Sequence, residues 1–521
     1  MKTPYAISAG ILFLLTISEM LNAQQSTFAE VFYENAQSFT NARAYSIIKS
    51  SDNHYMIVGG LDGAALLIKM DTNGTILWNK KYGSYFSDRF YGIVETDDSC
   101  FVIAGYHYFY LAGSHYPNWI QNILCVKVNS QGDTIWSRTI DNGFESYALS
   151  ISQTNDGGYI LAGFTYQTQP PWSIMIVDKL DHNGNLSWSR TLACGTENNK
   201  AFSIKQTPDS GYIVTGNFDN YPNPPYEYPA VMIKLTPAGN VSWAYKYSTG
   251  WWSWFGDAVV TWNGLLFLTF TDIGIVLMKT DFSGNVQWSK LGPYASGAGD
   301  EARPKLRRTS DNGYVMITSQ QLMKIDSAGN FLWSQDLFLQ SSDVIESSDK
   351  GFLAIGKDPE MGNDQKTGII KTDSLGNSSA CVMQSSVTTD TITCVLVPVS
   401  VTTTTAGIQA DLPLSISNAG LTAYSGCDFT INVRETTRER NALLVYPNPS
   451  NGMIRIKTDQ KSDGNLKLIR IYNGTGKCIY QSSNPSSFRS PIDITTSPDG
   501  IYYIQVVYRD TVCSQVFTIS H

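Results

Sequence analysis

Short apolar runs separated by polar turns recur along most of the chain. Within residues 148–188 the apolar segments are 148–151, 159–163, 174–177 and 186–188. A Gly-containing turn at 155–158 separates the first two, a longer loop separates the next two, and a turn from Asp181 to Gly184 separates the last two. Short apolar runs bounded by Gly and Asp are typical of β-strands. The pattern therefore predicts strand, turn, strand, loop, strand, turn and strand.

One ten-residue phrase marks each unit and occurs seven times. It begins with a lysine, at Lys69, Lys127, Lys179, Lys234, Lys279, Lys324 and Lys371, and has glycine five residues later, at Gly74, Gly132, Gly184, Gly239, Gly284, Gly329 and Gly376. Asp at the first and Gly at the fourth position favour a type I turn. We therefore interpret the repeated Asp and Gly as turn residues and the lysines as solvated or paired strand residues. A period of 45 to 58 residues indicates a repeat architecture.

Six of the seven copies end in tryptophan, and the seventh has Ala380 at that position. The six are Trp78, Trp136, Trp188, Trp243, Trp288 and Trp333. Seven four-stranded units of this length predict an all-β fold, a seven-bladed β-propeller over residues 24–378. The tryptophans are then expected on outer strands, packed against the adjacent blade. Because the seventh copy lacks a Trp strand, residues 27–33, which precede the first inner strand, are predicted to complete that blade and close the ring.

The repeat resembles the quinoprotein type of propeller repeat, whose outer strand also follows an Asp-turn-Gly phrase and ends in Trp. The turn is one residue shorter here, and the sequence lacks the adjacent cysteine pair and the haem motif of quinoprotein dehydrogenases. The resemblance supports the fold, and we expect no cofactor.

The two ends of the chain indicate export. Residues 1–23 contain Lys2, an apolar run at 6–17 and a small residue, Ala23, which predicts a secretory signal peptide and a mature chain that starts at Gln24. The run is too short for a retained transmembrane helix, and no later stretch reaches the ~20 apolar residues such a helix needs. Residues 379–440, rich in Thr and Val, are interpreted as a connector.

Residues 441–521 carry a different pattern of alternating strands and Gly or Pro turns, which predicts a small β-sandwich. Its marked positions are Tyr446, Pro447, Asn448, Pro449, Gly452, Gly476, Gly500 and Tyr502. These phrases resemble the type A C-terminal sorting domain of the type IX secretion system of Gram-negative bacteria. The resemblance implies that residues 441–521 engage the type IX machinery and that the protein is secreted or lies on the outer cell surface.

Composition excludes some functions and assigns no catalytic chemistry. The net charge of −8 disfavours nucleic acid as a partner. Cys478 and Cys513 fall in two candidate strands that we interpret as neighbours, and their pairing stays open. His107 and His115 are assigned to one loop, and no histidine has the context of a catalytic set. We predict no catalytic residue and no metal ligand.

Aromatic residues concentrate in the segments whose length varies between repeats, which antiparallel topology brings to one end of the blades. They are Tyr108, Tyr110, Tyr116, Trp119, Trp172, Tyr226, Trp251, Trp252 and Trp254. Exposed aromatic rings can stack on sugars or hold a peptide. The alternative is that they pack on one another to stabilise long loops. The sequence therefore predicts a binding or adhesion module for glycan or protein; the alternative is a secreted polysaccharide-degrading enzyme or its non-catalytic subunit.

Overall fold

The computed structural model describes three parts of the chain. The first comprises residues 27–33 and 42–378, except for 84–86, 111–118, 144, 195–196, 220–227, 248–252, 272–273, 294–303, 338 and 358–366. The second comprises 382–385, 390–391, 397–398, 402–405, 408–411, 416–418 and 422–425. The third comprises 444–520, except for 447–450, 452, 458–465, 474–477, 483–490 and 509–511. The predicted signal peptide lies outside the described residues.

The described residues form strands and turns and no helix, which confirms an all-β protein. Accordingly, the described part of the chain has no helix long and apolar enough to cross a membrane. Residues up to 425 form one compact unit, and those from 444 onward form a second.

The first unit contains seven antiparallel sheets, which we call sheets 1 to 7, and one strand from the N-terminus, β1 (Phe28–Tyr33). Sheet 1 has β2 (Ala42–Lys49), β3 (Tyr55–Leu61), β4 (Ala64–Met70) and β5 (Ile76–Tyr82). Sheet 2 has β6 (Arg89–Glu95), β7 (Phe101–Tyr110), β8 (Trp119–Val128) and β9 (Thr134–Asp141). Sheet 3 has β10 (Ser146–Gln153), β11 (Tyr159–Tyr166), β12 (Ser173–Leu180) and β13 (Leu186–Ala193).

The later repeats form four more sheets of the same kind. Sheet 4 has β14 (Asn199–Gln206), β15 (Tyr212–Phe218), β16 (Ala230–Leu235) and β17 (Val241–Tyr247). Sheet 5 has β18 (Ser253–Thr261), β19 (Gly264–Thr271), β20 (Gly274–Thr280) and β21 (Val286–Leu291). Sheet 6 has β22 (Lys305–Arg308), β23 (Tyr314–Ile317), β24 (Gln321–Ile325) and β25 (Phe331–Leu337). Sheet 7 has β26 (Gln340–Glu346), β27 (Phe352–Lys357) and β28 (Thr367–Thr372).

The first strands of the seven sheets contact one another in a closed cycle. Strand β2 contacts β6, and the contacts continue through β10, β14, β18 and β22 to β26, which contacts β2. The inner strands are buried on both faces; β3 and β4, for example, are buried along their whole length. Strands of this kind have continuous apolar sequences because both faces of the sheet are covered.

The N-terminal strand completes sheet 7. Strand β1 pairs antiparallel with β28, with Phe28 opposite Lys371 and Phe32 opposite Thr367. It takes the place that the Trp-containing strand takes in the other six sheets, so the two ends of the repeat region are joined by backbone hydrogen bonds.

A second set of pairings comes from the segment after the last repeat, which we call the return segment. Its strands are β29 (Val382–Ser385), β30 (Asp390–Thr391), β31 (Val397–Pro398), β32 (Thr402–Thr405), β33 (Ile408–Asp411), β34 (Ile416–Asn418) and β35 (Thr422–Ser425). They pair with β25, β21, β17, β13, β9, β5 and β1 in that order. The return segment therefore adds a fifth, outermost strand to each sheet while running through sheets 6 to 1 and then to sheet 7. The outermost edge of each sheet is thus a strand of two to four residues, and such short edge strands offer little backbone for edge-to-edge association.

The second unit is the C-terminal one. A three-stranded sheet joins β36 (Leu444–Tyr446), β37 (Met453–Lys457) and β40 (Ile492–Asp493). A four-stranded sheet has the order β39 (Cys478–Ser482), β38 (Leu466–Asn473), β41 (Gly500–Tyr508) and β42 (Val512–Ile519). The core of the second unit includes Ile454, Ile471, Ile504 and Phe517.

The sheet order corrects our interpretation of Cys478 and Cys513 as residues of neighbouring strands. Their strands, β39 and β42, form opposite edges of the sheet, with two strands between them. Since neighbouring strands lie about 4.8 Å apart, the two backbones are too distant for a disulfide, which needs Cα atoms within about 7 Å. The error arose because proximity was judged from sequence pattern without the strand order.

Candidate functional site

The two ends of each sheet in the first unit differ in chemistry. We call the end with the tight turns between first and second and between third and fourth strands the turn end. The opposite end, with the connections from second to third strand and from one sheet to the next, is the loop end.

At the turn end, the repeated phrase forms the predicted turn. In sheet 3, the Asp181 carboxylate accepts hydrogen bonds from the backbone N–H groups of Asn183 and Asn185, at 2.9 and 2.8 Å. The Gly184 N–H donates to the Asp181 carbonyl at 3.0 Å, and Gly184 has φ of +81°. The prediction of turn chemistry for this Asp and Gly is confirmed.

Six of the seven repeated lysines form an ion pair with an aspartate in the turn between first and second strands. Their N–O distances are 2.6 to 2.9 Å, for Lys69–Asp52, Lys127–Asp98, Lys179–Asp156, Lys234–Asp209, Lys324–Asp311 and Lys371–Asp349. Burial opposes ionisation of Asp156, but Thr154 and Lys179 lower its pKa to about 2. The lysine thus joins the third strand to the turn between the first and second strands, and the described contacts give it a structural role.

The tryptophans link each sheet to the next. A Cβ atom built on Gly184 would lie 2.8 Å from ring carbons of Trp136, and one on Gly239 would lie 2.9 Å from Trp188. The same contact joins Trp78 to Gly132, Trp288 to Gly329 and Trp333 to Gly376. Trp188 also packs on the apolar cluster shared by sheets 3 and 4, and the Arg190 guanidinium lies 5.5 Å above its ring centroid. Glycine is required because a side chain would displace the ring.

Sheet 5 departs from this pattern. Its first turn, from Thr261 to Gly264, is one residue shorter than the others and contains no aspartate. The Lys279 ammonium instead donates to the Thr261 hydroxyl at 2.8 Å, and burial lowers its pKa to about 8. Trp262 in this turn is 85% exposed.

At the loop end, a row of aromatic rings crosses sheets 1 to 3. Successive ring centroids lie 4.5 to 5.9 Å apart, through Tyr45, Tyr91, Tyr106, Tyr147 and Phe164. Tyr147 stacks on Phe164 and meets Tyr166 edge to face at 6.0 Å. We call these six residues the aromatic row. Tyr45, Tyr106 and Phe164 are buried, whereas Tyr91, Tyr147 and Tyr166 are half-buried.

An open pocket of about 580 Å³ adjoins this row. It is lined by Glu145, Tyr147, Tyr166, Gln167 and Thr168. The Tyr166 N–H donates to the Glu145 carbonyl at 2.9 Å, which fixes the two connections that form the pocket walls. The pocket thus offers aromatic rings beside a carboxylate and a side-chain amide.

Two of the predicted site residues, Trp172 and Tyr108, have described side chains; both lie at the loop end, and neither is among the residues that line this pocket. Trp172 is 46% exposed, and its carbonyl accepts a 2.8 Å hydrogen bond from the Gln167 N–H. Burial and the charge of Glu145 raise the pKa of Tyr108, so its phenol lies within electrostatic range of the pocket carboxylate. Tyr116, Tyr226, Trp251 and Trp252 lie outside the described residues.

The loop assignment was wrong for four of these aromatics. Tyr108 and Tyr110 belong to β7, Trp119 to β8, and Trp254 to β18. The β7–β8 ladder extends to the pair Tyr110 and Trp119. Aromatic residues favour strands, so the hairpin of sheet 2 extends further than the apolar runs indicated.

His107 was likewise assigned wrongly to a loop. It lies in β7, is buried, and its Nδ1 is 2.8 Å from a carboxylate oxygen of the buried Asp88. The same oxygen accepts the N–H of Tyr108 at 2.9 Å. This pair anchors the loop end of β7. Within the described residues, no cluster of three His, Cys, Asp or Glu side chains could hold a metal ion.

Sequence reasoning missed the aromatic row, although a signal exists. Tyr45, Tyr91, Leu149 and Phe202 occupy the same position, a β-bulge in the first strands of sheets 1 to 4. An alignment of the repeats on these strands, and not only on the Trp phrase, would have found large apolar residues there. A bulge redirects side chains, which the apolar pattern alone does not predict.

A match to a known family is found for the C-terminal unit. Residues 444–520 match the secretion system C-terminal sorting domain. This confirms the predicted sorting domain and indicates a secreted or outer-surface protein that interacts with the type IX machinery.

Tyr502 of this domain is buried, and its hydroxyl donates to the Pro498 carbonyl at 2.6 Å, whereas Tyr446 is exposed. Gly500 begins β41, and the other marked positions, Pro447, Asn448, Pro449, Gly452 and Gly476, lie outside the described residues.

Comparison with other proteins adds little for the first unit. No curated protein matches the chain. Among solved structures, a crystal structure of a putative 6-phosphogluconolactonase from Bacteroides uniformis is similar over 73% of this chain and 100% of its own. The sequence identity is 11% and the TM-score 0.37. A TM-score this low carries no argument about fold or activity.

Proposed function

We propose that the protein is an exported binding module whose seven sheets are the blades of a β-propeller and whose ligand is a carbohydrate held at the loop end. The closed cycle of first strands and the pairing of β1 with β28 support the propeller. In this proposal the repeats of the propeller span residues 24–378, closed by the N-terminal strand. Residues 379–440, interpreted from sequence as a connector, instead supply the outermost strand of each blade through the return segment before the sorting domain at 441–521. Cleavage near Ala23 would release the mature chain.

The observation that carries the proposal is the pocket beside the aromatic row. Sugar rings have apolar faces that stack on aromatic side chains, and their hydroxyl groups need hydrogen-bond partners. Tyr147 and Tyr166 supply rings, while Glu145 and Gln167 supply a carboxylate and an amide. The volume of about 580 Å³ is in the range of small-ligand sites. Trp172, exposed on the same connection as Gln167, would extend the stacking surface.

The described contacts also favour a pre-formed surface. Tyr147 is held between Phe164 and Tyr106, and Lys200 lies 5.1 Å above the Phe164 ring. Rings that are fixed before binding lose little conformational entropy when a ligand arrives. This combines the two interpretations of the aromatic residues, because the buried rings support the loops while Tyr147 and Tyr166 face the pocket.

A glycan array probed with the mature chain tests the proposal. We expect one or more glycans to bind, and Tyr166→Ala and Glu145→Gln each to weaken binding at least about fivefold, because each change removes a contact worth on the order of 1 kcal/mol. Trp188→Ala is the matched scaffold control, since its ring packs between sheets; it should lower the melting temperature and leave the affinity of the folded protein unchanged. Wild-type affinity in both pocket variants would contradict the proposal.

The glycans that bind on the array also test the alternative, a secreted polysaccharide-degrading enzyme. Each bound glycan is incubated with the protein, and the products are separated by chromatography. Cleavage that disappears in Glu145→Gln would replace the binding proposal with the enzymatic one.

A further inference from the structure

The first strands enclose a cavity of about 670 Å³ around the axis of the first unit. Six sheets contribute to its lining, and it reaches the turn end through residues of the first turns, including Asn155 and Pro208. It is therefore distinct from the loop-end pocket beside the aromatic row. Its charged lining residues come from sheets 4, 5 and 6 and include Lys205, Asp257, Lys305 and Arg307.

The charge of Arg307 is neutralised by two carboxylates. The Arg307 guanidinium lies between two carboxylates, 2.7 Å from an Asp257 oxygen and 2.7 Å from an Asp343 oxygen. Both carboxylates are almost fully buried, and Ser203 and Ser46 donate further hydrogen bonds to them at 2.7 and 2.9 Å. This network therefore already satisfies Asp257 and Asp343.

The cavity nevertheless carries an excess of positive charge. Lys205 and Lys305 line the same cavity, and within the described part of the chain neither ammonium has a hydrogen-bond or ion-pair partner. Burial lowers the pKa of both lysines; the attraction of Asp257 and Asp343 exceeds the repulsion of Arg307 but does not outweigh the effect of burial. Unpaired charges at partly buried positions are costly. Titratable groups whose pKa is shifted by burial and that line a cavity are candidates for a functional site.

The turn end is also altered between sheets 4 and 5, beside Lys205. In three sheet pairs a turn N–H donates to the last side chain of the next first strand: Ser51 to Glu95, Asn155 to Gln206 and Ser310 to Glu346. Between sheets 4 and 5 the corresponding residues are Pro208, which has no N–H, and Val260, which has no acceptor. Both line the cavity. The residues between sheets 4 and 5 therefore cannot form this hydrogen bond, and Lys205 lies next to that position.

We propose that this axial cavity is a second binding site, which takes an oxyanion, a carboxylate or phosphate group of a small ligand, between the ammonium groups of Lys205 and Lys305. Arg307, which is 27% exposed and fixed by its two carboxylates, presents its remaining face to the cavity. Charge-assisted hydrogen bonds from such groups are among the strong ones in proteins. The site goes beyond the glycan-binding function proposed above and does not depend on it.

Thermal unfolding and titration calorimetry of the mature chain with inorganic phosphate and with glucuronate test this site. We expect at least one of the two anions to raise the melting temperature in a concentration-dependent way. Stabilisation by phosphate alone identifies a phosphoryl ligand, and stabilisation by glucuronate alone identifies a carboxylate ligand. Lys205→Met and Lys305→Met should each weaken the binding of that anion at least about tenfold.

Lys179→Met is the control, because it removes the same charge at the turn end from a lysine that is paired with Asp156. It should bind the anion as the wild type does. Without ligand, the melting temperatures of Lys205→Met and Lys305→Met should equal or exceed the wild-type value, which separates lost binding from lost folding. No stabilisation by either anion, or equal stabilisation of the wild type and both cavity variants, would overturn the proposal.

Discussion

The turn end and the loop end of the first unit are formed by the same strands but follow different rules. At the turn end the same contacts recur in most sheets. An aspartate accepts hydrogen bonds from backbone N–H groups, a lysine forms an ion pair with a second aspartate, and a tryptophan packs on a glycine of the next sheet. At the loop end the connections differ in length, and the aromatic row is confined to sheets 1 to 3. A contact that most repeats make serves the fold that every repeat shares. A cluster that occurs once is where a specific function is to be sought.

The same reasoning applies within the turn end. Sheet 5 lacks the aspartate that pairs with the lysine in the other sheets, and it exposes Trp262. The charged network of Arg307 is likewise found in one sector of the axis. The departures from the repeat cluster in sheets 4 to 7, and the second proposed site lies among them.

The largest effect on stability is expected from Arg307→Met. This change leaves Asp257 and Asp343 buried without their cation, and breaking a buried ion pair from one side costs about 3–5 kcal/mol. Urea unfolding at pH 7 measures it. The triple variant with Asp257→Asn and Asp343→Asn as well should recover most of the loss; failure to recover would mean that Arg307 acts through packing.

The pH dependence of the same network has a defined sign. Burial alone would raise the pKa of Asp257, but Arg307 and the two lysines lower it to about 2, below the ordinary value of about 3.9. Its stabilising contribution is therefore complete above about pH 4 and is lost as the pH falls towards 2. Asp257→Asn should flatten the stability curve in that range.

A smaller effect is expected from alanine at two glycines with the same backbone conformation. Gly184 at the turn end and Gly143 at the loop end have φ of +81° and +94°, but only Gly184 faces a tryptophan ring. Gly143→Ala should cost about 1–2 kcal/mol for the left-handed backbone. Gly184→Ala should cost roughly 2–4 kcal/mol, because its Cβ also displaces Trp136. Equal costs in urea unfolding would contradict the inter-sheet role of the Trp–Gly contact.

The smallest effect distinguishes two lysines of the repeat. Lys179→Met removes a partner from the solvent-exposed Asp156 and should cost at most about 1 kcal/mol at pH 7. Lys279→Met removes an ammonium without a carboxylate and should be neutral or stabilising. Because the Lys279 pKa is about 8 when folded and 10.5 otherwise, the wild type gains stability between those pH values, and its difference from Lys279→Met should shrink there. A constant difference up to pH 10.5 would contradict the lowered pKa.

The repeated part of the structure was accessible from sequence because periodicity reports contacts that recur. The Lys, Gly and Trp spacing predicted the strands and turns, and the missing Trp of the seventh copy pointed to residues 27–33 as its substitute. The return segment was not predicted in this form. Its strands are two to four residues long and pair with partners in reverse chain order, which leaves no periodic signal.

The candidate sites were predicted only in part, for a physical reason. The exposure of Trp172 was predictable because it lies in a connection whose length varies between repeats, and its role in binding stays a prediction. Tyr147 and Arg307 were missed because they lie in first strands, where apolar and polar residues are both common and bulges change which side chains face the axis. Their roles follow from neighbours on other sheets, which only the three-dimensional structure brings together.

The most direct test of the difference between the two ends compares two exposed tryptophans. The measurement is the dissociation constant of the array-selected glycan, by titration calorimetry, for Trp172→Ala at the loop end and Trp262→Ala at the turn end. We predict at least about fivefold weaker binding for Trp172→Ala, from the lost stacking surface, and wild-type affinity for Trp262→Ala. Weakened binding in Trp262→Ala with wild-type affinity in Trp172→Ala would contradict the account and move the glycan site to the turn end.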